Sequence, residues 1–338
     1  MSCNSCVKRT CCVISSVIGL ILIIIYIIIP FVFRYSPSFQ REMILANDVT
    51  VTPKEKLSHP HQIGLKGTKN FYFTTMDNVT LGVWHVLPNN LLKNYEDDFE
   101  NYELLLGHGE SIVIYMHGNA DNRANFYRGQ LYSVLQNINC HVIALDYRSY
   151  ADSSDITPNE LGLVMDVVHL YKWVYNRANK SSIFGYGHSL GTAIGAHAFA
   201  LLEKDNLISG GLILDAPFSK LSEAIEEFPL AKLYNFLPWF GYFFVYPIAE
   251  NGFVFNTEEN LKYTKMPILI LHAHDDIIVP YKLGKKLFDH LSKYRVNSTT
   301  ELISYDSKLK YSHFFIYKDK DLGNKIKKFM DKSIKNNP

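Results

Sequence analysis

One short stretch of the chain places a serine between two glycines, Gly187-His188-Ser189-Leu190-Gly191. The apolar residues just before it predict a buried strand, and Leu190 to Leu202 has an apolar stripe at helical spacing. A serine at the tip of so sharp a strand-to-helix turn has a strained backbone and an exposed hydroxyl. We therefore expect Ser189 to be a nucleophile, with glycines beside it because the strand and the helix approach closely. An ordinary Gly-rich turn is the alternative.

A serine hydroxyl needs a base to take its proton, and the base needs an acid to orient it. Candidates for both follow predicted strands downstream of Ser189. Asp276 follows the strand 268–271 and is the better candidate acid, with its neighbour Asp275 as the alternative. His313 precedes the last predicted helix and is the candidate base. The order nucleophile, acid, histidine is that of α/β-hydrolases.

The same chemistry needs donors for the negative charge that develops on the attacked carbonyl oxygen. The predicted strand 112–116 ends in a glycine turn, His117-Gly118-Asn119-Ala120. The backbone N–H groups of Asn119 and Leu190 are the expected donors, each typically worth about 3–4 kcal/mol of barrier. The spacing of His272 and His274 is compatible with a metal, but no third ligand cluster accompanies it. We therefore expect neither a metal nor an organic cofactor.

Strands and helices alternate along the chain from about residue 70. The pattern begins with an antiparallel pair over 71–73 and 79–86. The later strands are predicted at 112–116, 142–146, 183–184, 211–214, 267–272 and 300–304, and the helices at 122–136, 158–175, 190–202, 282–291 and 322–332. This alternation predicts an α/β fold, with a mostly parallel central sheet and helices on both faces. The chemistry of such a sheet lies at the carboxyl ends of its strands.

An aromatic stretch over about 219–262 interrupts the alternation and has no clean periodicity. An insertion at this point would lie over the strand ends as a cap. We expect it to form the wall for a long acyl chain, or a surface that dips into the bilayer interface, where Trp and Tyr are favoured. A subdomain that merely packs on itself is the alternative.

The segment Val13 to Phe33 is uncharged and rich in Ile, Leu and Val. Its length matches the roughly 20 residues that a transmembrane helix needs. We expect an uncleaved anchor rather than a signal peptide, because bulky residues and Arg34 follow instead of a small-residue cleavage site. Residues 1–12 would then be a cytoplasmic tail, 34–69 a polar linker and 70–338 the catalytic domain. Four cysteines in the tail suggest lipidation rather than a zinc knuckle, at Cys3, Cys6, Cys11 and Cys12.

The charge of the chain is balanced, with 34 Lys and Arg against 33 Asp and Glu. This balance gives no sign of a nucleic-acid partner. Basic residues flank the apolar segment on both sides, so they barely discriminate its orientation. Three Asn-x-Ser/Thr sequons would be glycosylated if the body faced the endoplasmic reticulum lumen, at Asn78, Asn179 and Asn297.

With these residues in place, the chain resembles the α/β-hydrolase domain-containing protein 12 family from about Phe71 to its end. The segments that carry the resemblance are His117 to Ala120, Asp146 to Arg148, Gly187 to Thr192, Ala216 to Phe218, Leu271 to Asp276 with Val279-Pro280, Leu283 to Leu287, and His313 with Ile316-Tyr317. The resemblance implies a membrane-anchored lipase acting on lysophosphatidylserine and monoacylglycerol. It implies Ser189 as nucleophile, Asp276 as acid and His313 as base, in a body that faces the endoplasmic reticulum lumen or the outside.

Three positions depart from the family, which usually has glycine where this chain has Asp121, Ser149 and Ala151. We expect stiffer loops near the site, and a carboxylate at 121 that would repel an anionic head group. The leading interpretation is a membrane-bound serine hydrolase that releases a fatty acid from a single-chain lipid. The alternatives are a protein palmitoyl thioesterase and a catalytically silent hydrolase fold that serves as a binding protein.

Overall fold

The computed structural model describes residues 3–95, 100–179, 181–207, 209–296 and 298–336. Within these ranges one eight-stranded sheet forms the centre of the molecule. Its strands are β1 Thr68–Thr74, β2 Thr80–Val86, β3 Ile112–Met116, β4 His141–Leu145, β5 Ile183–His188, β6 Gly211–Asp215, β7 Ile268–Ala273 and β8 Thr300–Tyr305. Their spatial order is β1-β2-β4-β3-β5-β6-β7-β8.

The pairing within the sheet is mostly parallel. β2 pairs antiparallel with β1 and with β4, and the remaining neighbours pair in parallel. Every residue of β3 to β7 is buried, as expected for strands covered by helices on both faces. The predicted α/β architecture is therefore confirmed.

The helices of the domain lie between these strands and at its end. They are α4 Asn89–Tyr95, α5 Tyr102–Leu105, α6 Phe126–Asn137, α7 Glu160–Ala178, α8 Leu190–Lys204, α9 Leu221–Glu227, α10 Tyr246–Glu250, α11 Thr257–Leu261, α12 Tyr281–Tyr294 and α13 Leu322–Asn336. The insertion between β6 and β7 holds α9, α10 and α11, together with a 3₁₀ turn at Pro229–Leu233 and a π turn at Gly241–Val245.

Two helices begin later than the sequence pattern predicts, because asparagine side chains cap them. The Asn125 side chain accepts from the Tyr127 amide, so α6 begins at Phe126. The Asn159 side chain accepts from the Gly162 amide at 2.8 Å, so α7 begins at Glu160.

The N-terminal segment forms one long helical element. It consists of α1 Cys3–Ile23, a π turn at Ile24–Ile28 and α2 Ile29–Tyr35. Its stretch Thr10–Tyr35 contains an 18-residue window with a mean hydropathy of 3.1, and the stretch is long and apolar enough to cross a membrane. We call Thr10–Tyr35 the anchor helix. The predicted span over 13–33 lies inside it.

The segment expected to be a polar linker, 34–69, is largely folded against the domain. It contains α3 Pro37–Leu45 and 3₁₀ turns at Lys54–Ser58 and Pro60–Ile63. Leu45 and Leu57 are buried, and the Trp84 indole donates to the Leu57 carbonyl oxygen at 2.8 Å. The burial of these leucines explains why this mostly polar segment packs against the domain.

Candidate active site

Ser189 lies at the junction of β5 and α8, with φ 53° and ψ −120°. Neighbouring backbone holds this strained turn in place. The Ser189 amide donates to the Asp215 carbonyl oxygen at 2.9 Å. The Ser189 carbonyl oxygen accepts from the Thr192 amide at 2.9 Å and from the Thr192 hydroxyl at 2.6 Å. The turn thus has the strained geometry that the sequence pattern predicts.

The two glycines of the turn sit where backbones touch. A Cβ at Gly187 would overlap the Gly191 carbonyl group and lie 2.8 Å from Thr192 Cα. A Cβ at Gly191 would overlap the Met116 carbonyl oxygen and lie 2.6 Å from that of His117. Helix α8 therefore starts directly against the ends of β3 and β5, which positions Ser189 beside the loop that follows β3.

Gly191→Ala is expected to lower the free energy of unfolding by about 3 kcal/mol or more, because the added methyl meets backbone that cannot move aside. Gly195→Ala on the same helix is the matched control. Its Cβ would lie 2.9 Å from the flexible end of the Met116 side chain, which can shift. Chemical denaturation in detergent measures both variants. Equal losses in the two would contradict this account of the turn.

Asp276 and His313 come together although 37 residues separate them. The Asp276 Oδ2 accepts from His313 Nδ1 at 2.7 Å. The Asp276 Oδ1 accepts from the amides of Ile278 and Val279, both at 2.9 Å. Burial disfavours the charged carboxylate, but hydrogen bonds from His272 and His313 outweigh this and lower the pKa of Asp276 well below its usual value. The pair thus presents a fixed carboxylate to an oriented imidazole.

Asp275, the alternative acid, contacts a different group. Its Oδ2 accepts from the Ser312 backbone amide at 3.1 Å, and the His313 ring bonds to its neighbour Asp276 instead. Asp275 therefore holds the loop that carries the histidine, whereas Asp276 holds the ring itself.

His188 joins the serine turn to the histidine loop, and sequence reasoning assigned it no role. Its Nε2 donates to the His313 carbonyl oxygen at 2.8 Å, and the two ring centroids are 4.9 Å apart. Burial lowers the pKa of His188 to about 3, so its ring is neutral at pH 7. The sequence contained one indication of such a role, because His188 directly precedes Ser189.

His188 thus links the Ser189 turn to the loop that carries His313. In the part of the chain that the structure describes, no hydrogen bond joins Ser189 Oγ to the His313 ring. Catalytic hydrogen bonds are commonly long or misaligned before substrate binds. Because His313 Nδ1 is engaged by Asp276, Nε2 is the ring nitrogen left to face a substrate or a hydroxyl.

Asp215 lies beneath the serine turn at the end of β6 and was also missed. It is buried, and the Tyr186 hydroxyl donates to its Oδ2 at 2.8 Å. Burial raises the pKa of Asp215 to about 7. Its backbone carbonyl oxygen, which accepts from the Ser189 amide, is the part that positions the nucleophile.

The two residues that carry the expected oxyanion donors line the same cavity as Ser189. Asn119 and Leu190 both line it. A Cβ at Gly118 would lie 3.1 Å from Ser189 Cβ, so the loop after β3 passes directly against the serine. His117 is fully buried, and its Nδ1 lies 2.6 Å from the Gly118 carbonyl oxygen, which orients this loop.

His272, considered above as a metal ligand, is fully buried beside Asp276. Its Nε2 lies 2.8 Å from the Val279 carbonyl oxygen and 3.5 Å from Asp276 Oδ2. Across the described ranges, no group of three or more His, Cys, Asp or Glu side chains is placed to hold a metal ion. His272 therefore lies against Asp276 and helps to keep its carboxylate charged.

Asp121 is not the free carboxylate that the sequence led us to expect near the site. It is buried and accepts from the Thr52 amide at 3.0 Å, from the Thr52 hydroxyl at 2.9 Å and from the Asn125 side chain. These bonds tie the loop after β3 to the segment that follows the anchor helix. A carboxylate so engaged does not stand as a free charge against a head group.

The three departures from the family's glycines share one backbone property. Asp121, Ser149 and Ala151 have φ values of 56°, 65° and 53°, the left-handed region that glycine adopts most readily. The loops therefore keep a path suited to glycine although the residues have changed.

An apolar cavity of about 510 Å³ opens above Ser189. This volume falls in the range of about 300–1,000 Å³ that is usual for ligand pockets. The cap insertion supplies much of its wall, including Leu221, Ile225, Phe240 and Phe244. The insertion thus covers the serine, and its aromatic residues face a space of the size of a small lipid chain.

Known proteins match both the sequence and the fold. A family model described as alpha/beta hydrolase fold matches residues 111–253. Lysophosphatidylserine lipase ABHD12 of Mus musculus is 36% identical over 311 residues, which are 91% of this chain and 78% of the mouse protein. The Danio rerio protein of the same name is 35% identical over 90% of this chain and 81% of its own length.

Among solved structures, an esterase of Pyrococcus furiosus superposes with a TM-score of 0.59 at 19% identity. The match covers 81% of this chain and 93% of the esterase, and it supports the fold. The fold, the serine turn and the extent of identity with the vertebrate proteins agree: this chain belongs to the ABHD12 family of α/β-hydrolase-fold proteins.

Proposed function

We propose that this chain is a membrane-anchored serine hydrolase that cleaves the carboxylic ester of a single-acyl lipid. The substrate is a lysophospholipid such as lysophosphatidylserine, or a monoacylglycerol. The observation that carries the proposal is a strained serine opening onto an apolar cavity, beside a hydrogen-bonded Asp276–His313 pair. The relatives' printed name, lysophosphatidylserine lipase, supports the choice of substrate.

In the proposed reaction, Ser189 Oγ attacks the ester carbonyl carbon while His313 Nε2 takes its proton. Asp276 stabilises the resulting imidazolium, and the amides of Asn119 and Leu190 donate to the oxyanion. The C–O bond to the head group breaks, and the leaving alcohol takes the proton from His313. Water, deprotonated by His313, then attacks the acyl-serine. The fatty acid leaves and Ser189 regains its proton.

A substrate panel on the full chain in detergent micelles tests this proposal. We expect labelling by a fluorophosphonate probe and turnover of palmitoyl lysophosphatidylserine or monopalmitoylglycerol. Preferred cleavage of a palmitoyl-cysteine peptide would instead favour the thioesterase alternative. A folded protein that neither labels nor turns over any ester would favour the catalytically silent binding protein.

The comparisons with known proteins leave the location of the catalytic domain open, and we propose the endoplasmic reticulum lumen. Two sequon asparagines, Asn78 and Asn179, are exposed, as glycosylation requires. The third, Asn297, lies outside the described residues. With a lumenal body, residues 1–12 form a cytoplasmic tail in which the four cysteines are available for lipidation.

Endoglycosidase treatment is expected to shift the electrophoretic mobility of the full chain expressed in eukaryotic cells. The shift should vanish when Asn78, Asn179 and Asn297 are all replaced by Gln. An unshifted wild-type band would contradict the lumenal orientation, because exposed sequons in the lumen meet the glycosylation machinery.

A further inference from the structure

The anchor helix contributes directly to the cavity above Ser189. Ile25, Ile29 and Phe33 line the same cavity as the serine. Residues four apart share one face of a helix, so these three form a single stripe toward the catalytic domain. The segment that would attach the protein to a membrane is therefore also a wall of its candidate active site.

Specific contacts hold this stripe against the cap. The Tyr234 hydroxyl donates to the Ile25 carbonyl oxygen at 3.1 Å, within the π turn of the anchor helix. The rings of Phe33 and Phe244 have centroids 5.1 Å apart. A π turn leaves backbone groups with altered partners and is frequent at functional sites. The docking is thus built from several independent contacts between the helix and the insertion.

The opposite face of the anchor helix is apolar and uncovered. Ile24, Ile27 and Ile28 expose 40%, 52% and 46% of their surface. In a helix that spans a bilayer, such a face contacts lipid tails. One side of the helix therefore faces the cavity and the other faces the bilayer.

If the anchor helix spans a bilayer, the depth of this contact puts part of the cap inside the bilayer. At about 1.5 Å per residue, Ile25 lies about 14 Å along the helix from Arg34, the first charge after the span. The hydrocarbon core is about 30 Å thick. Tyr234 can reach Ile25 only if the cap enters the apolar layer. Leu230 and Leu233, which line the cavity and expose 57% and 49% of their surface, suit that environment.

We propose that the acyl-chain site is completed by the anchor helix, and that the acyl chain of a bilayer lipid enters between this helix and the cap. This inference rests on the proposed function. The apolar rim formed by Ile29, Leu230 and Leu233 lets the chain pass from the bilayer to the cavity without crossing water. The anchor then has two roles, attachment and substrate binding.

Paired tryptophan substitutions on neighbouring residues test this role in the full chain, reconstituted in phosphatidylcholine nanodiscs. Ile29→Trp fills the cavity from the helix side, whereas Ile28→Trp faces lipid. The substrates are lysophosphatidylserines with a palmitoyl or a hexanoyl chain. We expect Ile29→Trp to lower the palmitoyl-to-hexanoyl ratio of kcat/KM about tenfold, and Ile28→Trp to leave the ratio within about twofold.

The rate of labelling by a small fluorophosphonate reports whether each variant is folded. Ile29→Ala provides a second measurement, because a smaller side chain should raise the same ratio. Equal ratios in the Ile28 and Ile29 variants would overturn the inference and leave the proposed function intact. Failure of the proposed function has a different signature, since the wild-type protein would then hydrolyse neither ester.

Discussion

Ser189→Ala is expected to lower kcat for lysophosphatidylserine hydrolysis by about 10⁴-fold or more, a size seen when serine hydrolases lose their nucleophile. The substitution removes one hydroxyl from a turn that the surrounding backbone already holds at φ 53°. Fluorophosphonate labelling should disappear with the activity, because the probe reacts at the same oxygen.

The variant should remain folded, since no side-chain hydrogen bond of Ser189 Oγ supports the turn in the described structure. Ser133→Ala is the matched control. Its hydroxyl donates to the Gly129 carbonyl oxygen within α6, away from the cavity. Steady-state kinetics and thermal unfolding of both variants provide the comparison. Full turnover in Ser189→Ala would rule out the proposed mechanism.

Asp276→Asn is expected to lower kcat by about 10³–10⁴-fold, because the amide would stabilise the tautomer of His313 that cannot act as a base. The backbone amides of Ile278 and Val279 donate to Asp276 Oδ1. In the asparagine variant the same two donors will orient the side-chain oxygen toward themselves. The NH₂ group then faces His313 Nδ1, which becomes an acceptor. The proton moves to Nε2, so the ring can no longer accept the proton of Ser189.

Asp275→Asn is the matched control, because it changes the adjacent acid in the same way. Asp275 accepts from the Ser312 amide and not from the His313 ring, so we expect a loss of at most about tenfold. Kinetics on the full chain would distinguish the two acids. A larger loss in Asp275→Asn than in Asp276→Asn would reverse their assigned roles.

Local pattern was enough to predict the serine turn and the architecture. Strand period, helix period and two glycines are properties of a few consecutive residues, and the backbone of Gly187 to Gly191 follows directly from them. Continuous apolar runs likewise predicted the buried parallel strands. The predicted starts of two helices were less exact, because the side chains of Asn125 and Asn159 cap α6 and α7, so that these helices begin a few residues after the start that the sequence pattern indicated.

Asp121 illustrates what local pattern misses. In the sequence it is an extra acid beside a glycine turn, and its buried partner Thr52 lies 69 residues earlier. A carboxylate is a free charge when no protein group donates a hydrogen bond to it, and a structural group when several do. For Asp121, the path of the chain between residues 52 and 121 determines which donors come within reach.

The sequence alone determined that this protein has a serine-bearing turn, an alternation of buried strands with helices and an apolar N-terminal helix, since each depends on the pattern of residues within short segments. Tertiary structure decided which of two adjacent aspartates binds His313, and that His188 bridges the serine turn to the histidine loop. It also placed the anchor helix against the cap, with Ile25 and Ile29 facing the cavity. These outcomes depend on contacts between distant segments, whose relative positions are set only when the whole core packs.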